Sequence, residues 1–114
     1  MRSGDTSDHH NLFLVQRADH PVGFHHVAFH VRDHLELMLG GKSMTQKGWE
    51  TVYGPGRHIF GSNHFWYFKS PLGGAIEYDA DMDLVDDNWV PREAVQSPET
   101  AAIFMSDYTT KRRS

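Results

Sequence analysis

A chain of 114 residues is the size of one ordinary domain and can bury a core of modest size. With 39% apolar and 23% charged residues its composition is neither disordered nor membrane-like, and no apolar run approaches the ~18 residues that span a bilayer. The net charge of -4 argues against a nucleic-acid footprint, and zero cysteines remove disulfides and thiolate metal ligands. Any metal must therefore be held by His, Asp or Glu, and nine histidines is a high count for this length. The opening MRSGDTSDHHN has no apolar signal segment, so the cytoplasm is the expected compartment.

Taken in order, residues 1–8 are polar and Asn11–Gln16 (NLFLVQ) is an apolar run of strand length. ADHPVG reads as a turn around Pro21. Phe24–Val31 (FHHVAFHV) is the clearest strand. Its alternation places His26, Ala28 and His30 on one face, and Val27, Phe29 and Val31 on an apolar face suited to packing. Asp33 opens a helix, with Glu36 completing a capping-box-like pair. Leu35, Met38 and Leu39 form its apolar stripe, Gly40 and Gly41 weaken its second half, and Gly48 is its stop. Leu35 and Met38 are expected in the core.

Trp49–Tyr53 (WETVY) reads as a short strand that ends at a Gly54-Pro55-Gly56 turn. His64–Lys69 (HFWYFK) is a strand, Pro71–Gly74 a turn, and Ala75–Asp79 (AIEYD) another strand. From Met82 the pattern dissolves into an extended tail, in which ETAAIFM (99–105) reads as a short helix. The expected fold class is α+β: a βαβββ module over 24–83, a preceding strand within 1–23, and a C-terminal tail over 84–114.

His26 and Glu77 sit on the first and last strands of that module. If those strands are neighbours, both side chains enter one concavity and offer two N/O ligands suited to Fe(II), Mn(II), Zn(II) or Ni(II). A third ligand is still required. Asp79-x-Asp81-x-Asp83 resembles the start of a calcium loop, but Leu84 stands at its sixth position and Val90 at its twelfth, so these aspartates read as a solvated rim.

These residues together resemble the vicinal oxygen chelate superfamily, and within it the type I extradiol (catechol 2,3-) dioxygenases. The resemblance runs from about Asp8 to Trp89 and carries the glyoxalase/bleomycin-resistance/extradiol dioxygenase fold. Phe24-His25-His26-Val27-Ala28-Phe29 is similar to the family's ligand strand, with His26 as a metal ligand. Ile76-Glu77-Tyr78-Asp79 is similar to the glutamate ligand strand. Gly56-Arg57-His58 matches an active-site histidine, Tyr67 the tyrosine nine residues on, and Asp8-His9-His10-Asn11 a histidine pair whose second member, His10, acts on oxygen intermediates. The resemblance implies Fe(II)- and O2-dependent cleavage of an aromatic diol in aromatic catabolism. His58 and Tyr67 would hydrogen-bond the substrate oxygens, and His10 would move protons. The family's other histidine ligand lies upstream of the His10 position, and no histidine precedes His9. The chain thus looks truncated, with at most two ligands per copy and an unpaired sheet edge. Two copies would bring together two His26 and two Glu77, a set resembling the glyoxalase I metal site. The resemblance therefore also implies a homodimeric isomerase, or a ligand-binding module like the bleomycin-resistance members.

Overall fold

The computed structural model describes residues 6–19, 21–95 and 102–106. Its elements are β1 (Ser7–Asp8), β2 (His26–His30), α1 (His34–Gln46), β3 (Thr51–His58), β4 (His64–Lys69), β5 (Ala75–Ala80), β6 (Leu84–Val85) and β7 (Ala102–Met105). The βαβββ order is the expected one. Five strands form one sheet in the order β2-β5-β4-β3-β7, and β1 pairs with β6 in a separate two-stranded sheet. Strand β2 runs parallel to β5, and the other pairs in the large sheet are antiparallel. The first and last strands of the module are therefore neighbours.

Strand β4 is central and buried on both faces, which explains its nearly unbroken aromatic sequence. Trp66 and Phe68 point to the helix, where they meet Leu37 and Ala80 with Val31, Met38, Met44 and Tyr78 around them. Phe65 and Tyr67 point the other way, onto Ala75, Tyr53 and Ala102. Phe65, Phe68 and Leu37 are wholly buried, and each contributes about 1.5–3 kcal/mol of hydrophobic stabilisation.

Helix α1 starts where expected. Asp33 has extended backbone and its Oδ1 accepts from the Glu36 amide at 2.8 Å. The helix ends in paired reverse bonds, Gly48 N to Thr45 O at 3.0 Å and Trp49 N to Met44 O at 3.1 Å, which satisfy its last carbonyls. The buried face is not the expected one. Leu35 and Leu39 are exposed, while Leu37 and Gly41 are buried and Met38 and Met44 lie against them. The two glycines that weaken helix propensity lie at the contact with the sheet. A Cβ on Gly41 would fall 2.0 Å from Trp66 Cε3, so the helix approaches the sheet closely only because this position has no side chain.

Other expectations are corrected. Val27 and Phe29 do share the helix-side face, but they are 44% and 53% exposed. The helix lies over β4 and β5 and leaves edge strand β2 uncovered. Asn11–Gln16 is irregular, exposed chain, and the N-terminal strand is the shorter Ser7–Asp8 instead. That pair alone finds a partner edge, at Leu84–Val85. Strand β3 does not stop at Gly54-Pro55-Gly56 but runs through it to His58, and register shifts against β4 absorb the irregular backbone. In the tail, Ala102–Met105 is a strand added to the β3 edge rather than part of a helix, because unpaired β3 backbone offers its residues a ladder. Residues 99–101 of that expected helix lie outside the described residues. Among the described residues no helix is long and apolar enough to cross a membrane.

Replacing Gly41 with Ala tests the close approach. In an exposed helix Gly→Ala gains up to about 1 kcal/mol. Here the added methyl meets a ring whose Nε1 donates to Thr51 Oγ1 at 3.0 Å, so it cannot swing aside freely. Gly41→Ala is expected to cost about 1–3 kcal/mol, read as a lower urea midpoint at unchanged slope. Gly40→Ala, whose Cβ would lie 3.3 Å from the edge of Tyr78, should cost less.

Candidate functional site

The face of the sheet opposite the helix collects the chemistry. The parallel register sets His26 beside Ala75, Ala28 beside Glu77 and His30 beside Asp79, so all six share that face. Across β4, Tyr67 pairs with Glu77. His58 ends β3 and its ring stacks on Phe65 at 4.0 Å. Neighbouring strands therefore deliver His26, Glu77, Tyr67 and His58 to one concavity.

Glu77 is the hub. It is 4% exposed, with Oε1 3.2 Å from His26 Nε2 and Oε2 3.3 Å from His58 Nε2. His58 Nε2 also lies 3.2 Å from Tyr67 Oη. Burial opposes the charge on Glu77, but hydrogen bonds from His26 and His58, reinforced by their positive charge, outweigh it and hold the carboxyl down at about 2. Tyr67 responds oppositely. Burial, then the charge of Glu77 and a hydrogen bond to it, push its phenol far up, so it stays a neutral donor.

His10 stands on the same side but makes none of these contacts. Its ring lies over Gly61, with Cε1 3.4 Å from where a Cβ there would be, and it feels the charges of both Glu77 and His58. Burial is the main influence on His10 and lowers its basicity. Arg57 steadies the 59–63 loop beneath it, donating from Nε to Ser62 O at 2.5 Å and from Nη2 to Asp81 at 2.6 Å.

Several participants were not anticipated. His25 Nδ1 lies 2.6 Å from His26 Nδ1, which leaves Nε2 of His26 for Glu77. The dipeptide itself was the signal, since adjacent histidines can orient one another. Asp79 is not a solvated rim residue. It is 1% exposed and bonded to His30 Nδ1, and His30 Nε2 lies 3.5 Å from Asp8. Its spacing of two from Glu77 along β5 already placed it on the inner face. Burial pushes the Asp79 carboxyl up, against the opposing pull of His30. Asp81 and Asp83 pair with Arg57 and Arg92 respectively.

Among the described residues no group of three His, Asp or Glu converges to hold a metal ion. His26 and Glu77 supply two donors. Cavities of about 340 and 220 Å³ lie elsewhere, beside His9 and Trp89 and beside Trp49 and Ser70.

No family model matches the chain. It is 42% identical over 79 residues to metapyrocatechase 2 of Cupriavidus necator, a match covering 69% of this chain and 24% of that protein. It also superposes on the Mn(II)-bound glyoxalase of Novosphingobium aromaticivorans with a TM-score of 0.62 and 33% identity, over 68% of this chain and 26% of that one. The chain thus spans about a quarter of the length of each.

The depressed Glu77 carboxyl has a pH consequence. A carboxyl whose folded value lies below its unfolded value stabilises the fold above the unfolded value, and that contribution is lost as pH falls through the folded one. Stability should therefore drop between about pH 4.5 and about pH 2, in a component missing from Glu77→Gln. Urea denaturation of the two proteins across that window measures it. Parallel pH curves would count against the hub role of Glu77.

Proposed function

Because the chain belongs to the vicinal oxygen chelate superfamily, among the relatives of the catechol 2,3-dioxygenases, we propose that it carries one wall of an extradiol ring-cleaving site, with a catechol-type diol and O2 as substrates. The observation that carries this reading is the convergence of His58 and His26 on the two oxygens of buried Glu77, with Tyr67 alongside.

The donor set fits a divalent cation in part. Glu77 is ionised through the neutral range, and Nδ1 of His26 is engaged by His25 while its Nε2 faces Glu77, so one nitrogen and one carboxylate converge where an ion could displace the proton between them. Nitrogen and oxygen donors of this kind suit Fe(II), with Mn(II), Zn(II) and Ni(II) as alternatives. His26 and Glu77 would hold the ion, and a third protein ligand would come from outside the described residues. When bound, the ion would supply the redox centre and open coordination positions for a diol beside O2.

The remaining roles belong to the chain's own side chains. Tyr67, kept neutral, donates to a substrate oxygen and does not compete with the substrate for ionisation. His58 can donate or accept at Nε2, which places it to hold the second substrate oxygen as its charge changes. Phe65, stacked beneath the His58 ring, restrains its tilt. His10, kept uncharged near neutral pH by burial, is free to take up a proton.

The glyoxalase neighbour favours a second reading. Two copies would contribute a His26 and a Glu77 each to one ion at a homodimer interface, giving an isomerase-type site without redox chemistry. The third possibility is a metal-free ligand-binding module.

Metal analysis and oxygen uptake separate these readings. After anaerobic loading, stoichiometric iron with catechol-dependent O2 consumption is expected. Zinc, manganese or nickel bound without O2 uptake would move the assignment to the isomerase, and no metal at all to the binding module. His26→Ala should abolish stoichiometric metal, and His25→Ala should weaken binding roughly 10–100-fold by freeing the ligand ring. Full metal content in His26→Ala would sink the ligand assignment.

A further inference from the structure

His10 does not act alone. The backbone amide of His9 donates to Asp83 O at 2.8 Å, which extends the β1–β6 pairing by one residue. The chain then bends, so that Nδ1 of His9 and Nδ1 of His10 lie 3.0 Å apart with their rings nearly perpendicular at 88°. The two rings face different surroundings. His10 lies over Gly61 on the Glu77 side. His9 lies edge-on to Trp89, near Asp83 and Arg92, and lines the open cavity of about 340 Å³ with Val85, Asp86 and Asp87.

We propose that His9 and His10 form a two-imidazole proton relay, in which His9 connects the acid–base position at His10 to the solvent-open cavity beside Trp89. The relay rests on the reading of His10 as the proton-handling group of the site.

The chemistry follows from the inventory of an imidazole. Two uncharged rings joined Nδ1 to Nδ1 must take opposite tautomers, one donating and one accepting. With Nδ1–H on His10, its Nε2 is a bare base. A proton taken up at Nε2 of His10 is balanced by release of the one on Nδ1, which His9 accepts at its own Nδ1. His9 then releases its Nε2 proton to water in the cavity. Both rings end uncharged, in the opposite tautomers, and return of a proton along the same path resets them. Burial lowers the basicity of both rings, so neither stays charged near neutral pH and blocks the path. Asp83 raises the basicity of His9 and Arg92 lowers it, while for His10 Glu77 raises it and His9 and His58 lower it.

The same device appears at His25-His26, where the second histidine again faces Glu77 and the first engages its Nδ1. The two pairs differ in where their first ring lies: His9 borders the cavity of about 340 Å³, whereas His25 is exposed on the surface.

Ring-nitrogen NMR of the 15N-labelled protein tests the relay without needing turnover. Near neutral pH the Nδ1 atoms of His9 and His10 should show opposite protonation states. On acidification both rings should respond together to a first proton, with a second step at lower pH. Independent titration of the two rings overturns the relay. In metal-loaded protein with catechol, His9→Phe should slow turnover roughly 100-fold with KM little changed, and millimolar imidazole should restore part of it. His9→Asn keeps an acceptor for His10 Nδ1 but cannot pass a proton, so it should be equally slow, whereas wild-type rates in either variant overturn the relay. Failure of the dioxygenase reading would show differently, as a wild-type protein with coupled rings and no O2 uptake.

Discussion

A charged carboxylate at 4% exposure is the constraint on which the site depends. An ionised group taken out of water is costly unless it is paired and hydrogen-bonded. Glu77 meets that demand with two imidazoles, one on each oxygen, from strands on opposite sides of its own. The pairing ties the β2 edge of the sheet to β3 through a single side chain. It also bears on the neighbours, since burial and then the fixed negative charge beside it keep the Tyr67 phenol protonated. One buried anion thus gathers two imidazoles and a neutral phenol around it.

That arrangement needs a sheet that does not shift, and the sheet is held by its aromatic middle. Alternation along β4 sends Trp66 and Phe68 to the helix and Phe65 and Tyr67 to the site, so packing on one face fixes registry on the other. The helix presses on Trp66 at Gly41, where propensity is lowest and approach is closest. Tertiary contact outweighs helix propensity there, because a residue without a side chain lets two large surfaces meet.

Much of this was legible in the residues. The βαβββ order, the Asp33 cap, the Gly48 stop and strand HFWYFK follow from local rules, which act within a few residues and hold wherever the segment lies. The readings that failed depended on distant partners. Leu35 and Phe29 have core-like side chains but lie beyond the helix–sheet overlap. The run Asn11–Gln16 has strand composition but no edge to join among the described residues, whereas Ala102–Met105 finds one at β3. Asp79 looked like part of an acidic loop because its neighbours in sequence are acidic, while its neighbours in space are His30 and the sheet.

By itself the sequence determined which residue types were available for chemistry: no thiols, many imidazoles, and one glutamate on the last strand of a module, spaced to match a histidine and a tyrosine. It also determined the faces, since period-two alternation is a property of any strand. The tertiary structure decided the neighbours. It placed β2 parallel to β5, which brought His26 onto Glu77, and it bent the chain at His9 so that two adjacent rings meet. Those outcomes depend on register and on the path of the chain between elements, and both are set by the packing of the whole domain.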